Sequence, residues 1–230
     1  MPPMRKNISN ERENRKTNYK PVYLPSNEPY LGRESAFHFD QVIISCLEAN
    51  ADIVTYTHRV EFSELQEAAC QIIPQGINLT LAIRELVRQG YLFGALVLMR
   101  PLIERAAIMS YLYARADEVE VWQNGWQFHE RPNLAKMLET MSGNADITVA
   151  KQIGETLGHI VHGDPVSSQW NLVKLKDGAL GYSVGKVIND PDLCDFICFQ
   201  SYCYLIVFMG IMAARFPDTN IRTSLNCCDT

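Results

Sequence analysis

The spacing of apolar side chains predicts helices along most of the chain. From about Glu34 to Thr57, Phe37, Val42, Ile43, Leu47, Ile53 and Val54 recur with a helical rather than an alternating period. Ser63, with Glu67 close behind, opens a second helical stretch through Leu65, Ala69 and Ile73. Pro74 and Gly76 are expected to interrupt it before it resumes from Ile77 to Gln89, and Gly90 reads as its C-terminal stop. Tyr91 to Ala114 differs in kind. Leu92, Phe93, Leu96, Val97, Leu98, Met99, Leu102, Ile103, Ala106, Ala107 and Ile108 run all the way round it, which predicts a central helix. Pro101 inside it removes one backbone hydrogen bond and predicts a kink near Val97.

Three shorter helices are predicted from Asp117 to Phe128, Asn133 to Met141 and Ile147 to Val161, with Pro132 and Gly143 as punctuation. The third ends at Gly163, Asp164 and Pro165. Trp170 to Leu175, an Asp177-Gly178 turn and Leu180 to Val187 then predict a short hairpin, and Asp190-Pro191 starts a last long helix ending at Arg215. The fold class is all-α: a helical bundle with a short β-hairpin inserted before the last helix. It occupies residues 31–216, between an arm (1–30) and a tail (217–230).

Phe196 to Ala214 lacks charged residues and reaches the roughly 20 residues of a membrane span. Gln200, Ser201, two tyrosines and the flanking Asp192, Asp195 and Arg215 favour a buried core helix, so no membrane is expected. With 230 residues and 47% hydrophobic content, one core is the default. The arm holds Pro2, Pro3, Pro21, Pro25 and Pro29 and shows no apolar period.

Formal net charge is -5, unevenly placed: Met1 to Lys20 carries Arg5, Lys6, Arg12, Arg15, Lys16 and Lys20 against Glu11 and Glu13. An acidic body argues against a surface that tracks nucleic acid throughout and leaves room for a local basic groove. Seven cysteines, three of them (Cys194, Cys198, Cys203) in one apolar segment, read as small buried hydrophobes in a reducing compartment. The polar N-terminus has no apolar stretch of the secretory kind, so a cytoplasmic location is expected.

Arg100 and Glu104 sit one turn apart inside the central helix and should touch. Desolvating two ions costs several kcal/mol each, so the pair either fixes helix register or lines a pocket. His159 and His162, with Glu155 one turn earlier, share a face near a helix end. Three roles fit them: a structural partner for a buried carboxylate such as Glu104, acid–base or binding work on a phosphodiester, or metal ligation. Cys194, Cys198 and Cys203 read as packing rather than as a thiolate site, and Trp122, Trp126 and Phe128 as packing aromatics with base stacking as the alternative. Phosphate-binding glycine loops, a nucleophile elbow and zinc-protease motifs are absent from the sequence.

Taken in order, Ala95 to Tyr113 (ALVLMRPLIERAAIMSYLY), Leu157 to Ser168 (LGHIVHGDPVSS), a short hairpin and a long apolar last helix resemble a broadly HEPN-like family of bacterial helical proteins. The resemblance covers about residues 65–215 and rests on R-x-x-x-E in one helix and a histidine closing a later one. It implies a polar cluster of Arg100, Glu104 and His162, with Tyr111 and His159 beside it as binding residues. HEPN-like proteins include ribonucleases of toxin and antiphage systems, usually dimers, and inactive members that bind partners. The ribonuclease R-x4-6-H pattern is missing from the end of the helix carrying His162, while Arg33 to His38 match R-x4-H without its following tyrosine.

The leading expectation is therefore a HEPN-like component of a bacterial defence or toxin system. It would act on RNA as a cofactor-free ribonuclease, with His162 as acid–base residue and Arg100 steadying phosphate charge, in a homodimer or a larger complex. The alternatives are a non-catalytic protein-interaction module and a metal-binding helical bundle.

Overall fold

A computed structural model describes residues 28–56, 61–127, 129–142 and 146–217. The arm up to Asn27, Thr57, Phe128, Gly143 and the tail from Asp218, with Cys227 and Cys228, lie outside the described residues. Seven α-helices and one two-stranded sheet are present among those described. The order is α1 (Glu34–Tyr56), α2 (Glu64–Arg88), α3 (Leu92–Ala114), α4 (Val119–Gln123), α5 (Leu134–Ser142), α6 (Thr148–Val161), β1 (Leu172–Lys174), β2 (Leu180–Tyr182) and α7 (Pro191–Arg215). Short 3-10 turns precede α4 and β1.

Ser63 caps α2 through a capping box whose partner is Gln66 rather than the expected Glu67: Gln66 N–H donates to Ser63 Oγ, and Ser63 N–H to Gln66 Oε1. The expected break at Pro74 and Gly76 does not occur, and α2 runs unbroken through both. Packing overrides the local cost of proline, because Ile72, Ile73, Gly76 and Ile77 are all buried. Gly76 is a contact point: a Cβ there would lie 2.3 Å from Cε2 of Phe208 in α7.

Gly90 does end α2, with φ +79°. Its N–H donates to Val87 O and that of Tyr91 to Leu86 O, a Schellman motif. The same corner receives the chain from two distant places. A Cβ on Gly90 would meet Val187 at 2.7 Å and Pro29 at 2.9 Å, and Gly90 O accepts from Ile188 N–H. Tyr30, buried, donates to Ile188 O and accepts from Asp190 N–H. Arg33 and Ser35 then bind Asp195, so the start of α1 is stapled to the start of α7.

α3 is central, as its composition requires. It packs along α2 and α7 and against α5 and α6, and is continuous through Pro101. α7, capped by Asp190 with Pro191 as its first residue, buries Cys194, Ile197, Cys198, Tyr204, Leu205, Phe208, Met209 and Met212. By length and composition α7 could cross a membrane, and half of its most apolar stretch is buried in the bundle. The predicted helix from Asp117 shrinks to a 3-10 turn and the five residues of α4. The hairpin keeps its Asp177-Gly178 turn with strands of only three residues, Leu172 facing Tyr182.

At the C-terminal end of α2, Arg88 binds both Glu85 and Glu28, and together with Gln89 it holds the Glu85 carboxyl down at about 2. Arg33 and Ser35 likewise hold Asp195 below its usual range. A carboxylate depressed by folding contributes stability that is fully present above its unfolded value and lost as pH falls through its folded value. The urea midpoint should therefore fall as pH drops from 4.5 towards 2, and Glu85→Gln should make that fall shallower.

Candidate functional site

α3 carries two arginines near its middle: Arg105 Nε donates to Gln75 Oε1 of α2, and Arg100 turns towards α6. Arg100 Nε donates to Glu104 Oε1 at 3.1 Å, as the spacing requires, and the side chains keep 21% and 26% of their exposure. Arg131 adds a looser contact with Glu104 at 3.9 Å. Arg100 Nη1 donates to the carbonyl of Gly154 in α6. Gly154 allows this approach, because a Cβ there would stand 3.4 Å from Nη1 and 3.3 Å from Leu134 Cδ2 of α5.

The end of α6 is a second Schellman motif. Gly163, at φ +72°, donates to Ile160 O, and Asp164 N–H donates to His159 O at 3.0 Å. In such a motif the residue after the glycine returns to the side chain one turn inside the helix, a contact usually made by two apolar groups. Here the pair is polar: the Asp164 carboxylate meets His159 Nδ1. A carboxylate only accepts, so the neutral imidazole carries its proton on Nδ1 and keeps Nε2 as its basic nitrogen. His162 is the C-cap residue of the same turn.

These pieces line one cavity of about 510 Å³ between α3, α5 and α6. Arg100, Lys151, Glu155, His159, His162 and Asp164 supply its polar groups. Leu134, Ala135 and Leu138 of α5 form an apolar wall. Lys151 is also tied to Glu139 across the α5–α6 gap. Among the lining groups the cations Arg100 and Lys151 face the carboxylates Glu155 and Asp164.

Of the residues singled out from sequence, Arg100, Glu155, His159 and His162 come together. Glu104 stands behind Arg100 and does not line the cavity, and its partners are Arg100 and Arg131 rather than His162. Tyr111 lies two turns further along α3, fully buried. It donates to Glu118 Oε1 and packs edge-on to Trp126, and burial pushes its pKa up. It is a core tyrosine, away from the site. Arg33 and His38 do not form a pair: Arg33 binds Asp195, and His38 sits beside Glu34. Cys194 and Cys198 are buried packing residues, and among the described residues no group of three His, Cys, Asp or Glu is placed to hold a metal ion. Sequence reasoning missed Asp164 and Lys151 as site groups. The signal for Asp164 was present, in a glycine one residue past a histidine-bearing helix end.

Comparison of the chain with known protein families, curated proteins and solved structures finds no match.

Two glycines of α6 give opposite expectations. Gly163→Ala forces a side chain into the left-handed region and should cost about 1 kcal/mol. Gly158 lies inside the helix, with only Arg100 Nη1 at 4.0 Å from an added Cβ, so Gly158→Ala should stabilise by roughly 0.5–1 kcal/mol. Urea unfolding of both variants checks the signs; destabilisation by Gly158→Ala would contradict the open space around Gly158.

Proposed function

We propose that the chain is a HEPN-like helical component of a bacterial defence or toxin system, working in the cytoplasm, and that its α3–α5–α6 cavity cleaves RNA phosphodiester bonds without a metal ion. The observation that supports this reading is the convergence of two imidazoles, one of them oriented by a carboxylate, with a guanidinium and an ammonium in one cavity. That set can supply a base, an acid and charge stabilisation together. His159 Nε2 takes the proton of the ribose 2′-hydroxyl, O2′ bonds to phosphorus, the bond from phosphorus to O5′ breaks, and His162 protonates the departing O5′. Arg100 and Lys151 offset the charge that builds on the phosphoryl oxygens.

The rate should follow a bell-shaped pH profile, because one imidazole must be neutral while the other is charged. In chelator-containing buffer, the full chain should cleave single-stranded RNA, and His159→Ala and His162→Ala should each lose roughly 10²–10⁴-fold in rate. Equal rates in wild type and both variants, or cleavage by none of them, would sink the catalytic reading.

A non-catalytic interaction module is the second reading, supported by the outer face of α1. Phe37, Ile44, Leu47 and Val54 are exposed there at coiled-coil spacing. The stripe is self-complementary: about a twofold axis between Ser45 and Cys46, Phe37 would face Val54 and Ile44 would face Leu47 of a second copy. Under this reading the full chain sediments as a dimer, and Ile44→Lys with Leu47→Lys converts it to a monomer; a monomeric wild type counts against it.

A further inference from the structure

The geometry points to a second half of the same cavity: we infer that the α5 wall of Leu134, Ala135 and Leu138 seats a nucleobase, so that the site accepts one nucleoside phosphate unit at a time. The inference rests on the phosphate reading given above. At about 510 Å³ the cavity falls within the roughly 300–1,000 Å³ of pockets that enclose whole small molecules, and a phosphate alone would leave most of it to water. Its lining is segregated. Every polar side chain belongs to α3, α6 or the turn after α6, whereas α5 contributes only aliphatic groups.

The two halves meet at Gly154. Arg100 Nη1 and Leu134 Cδ2 both lie within 3.4 Å of the one position that a Gly154 side chain would occupy, so the cationic group and the apolar wall are separated by less than a nucleoside's length. A ligand gripped by Arg100 through a phosphate therefore has its next few atoms against Leu134. For an RNA phosphate those atoms belong to a ribose and its base, whose planar face gains by leaving water for an aliphatic surface. An aliphatic wall offers no donors or acceptors to base edges, so the seat favours having a base over having any particular one.

The test is calorimetric titration of the full-length wild-type chain with adenosine 3′-monophosphate, uridine 3′-monophosphate, ribose 5-phosphate, adenosine and a phosphoserine peptide. Both nucleotides should bind about tenfold more tightly than ribose 5-phosphate, a difference of ~1.4 kcal/mol. Leu134→Ser, at the first residue of α5, should bring nucleotides and ribose 5-phosphate within about twofold of each other, while Arg100→Gln should weaken all phosphate-bearing probes. Equal affinity of wild type for nucleotides and ribose 5-phosphate overturns the base seat and leaves the phosphate reading standing. Adenosine binding as tightly as its phosphate, or no binding of any phosphate probe, overturns both. Tighter binding of the phosphoserine peptide than of either nucleotide assigns the wall to a peptide side chain and overturns the inference.

Discussion

The structure depends on α3 having little surface to give to water. A helix apolar over most of its circumference has to be enclosed on those sides, and α2, α5, α6 and α7 are arranged around it, leaving Arg100, Glu104 and Arg105 on its partly exposed face. Arg100 is the point at which this requirement meets electrostatics. A guanidinium placed on such a helix needs acceptors close by, and it finds one carboxylate a turn away in Glu104 and one backbone carbonyl in Gly154. The second contact draws α6 close to α3. The cavity is what remains between those helices and α5 once that contact is made.

Periodicity exposed the helices because each buries a definite face, and the central position of α3 followed from the absence of a polar one. The errors have a common physical origin. Pro74 and Gly76 are local breakers, yet Phe208, 132 residues away from Gly76 along the chain, lies on the glycine and makes the helix continuous. No local pattern around Pro74 carries that information. Tyr111 shows the same limit: the resemblance placed it beside the Arg100–Glu104 cluster, but two turns of helix carry it away to Glu118 and Trp126.

The candidate site was half legible. Arg100, His159 and His162 were conspicuous because charged and titratable groups stood in apolar surroundings. Lys151 was not, since an ordinary charged residue on an amphipathic helix looks the same whether it faces water or a cavity. The apolar wall was equally invisible, because Leu134 and Leu138 satisfy a helix pattern whatever covers them. The segregation inside the cavity, charged and imidazole groups on one side and aliphatic carbons on the other, belongs to the packing of three helices and to none of them singly.

The turn at Gly163 also bears on how the site comes into being. His159 and Asp164 are five residues apart and are joined by the closing bonds of a single helix end, so their pairing needs nothing beyond α6 itself. The grip of Arg100 on α6 spans 54 residues and exists only when α6 is docked. The imidazole–carboxylate unit is thus portable, whereas the hold of Arg100 on α6 is a property of assembly. Whatever lifts α6 by a few ångströms would leave the imidazole–carboxylate pair intact and release it from Arg100, a clutch rather than a lock.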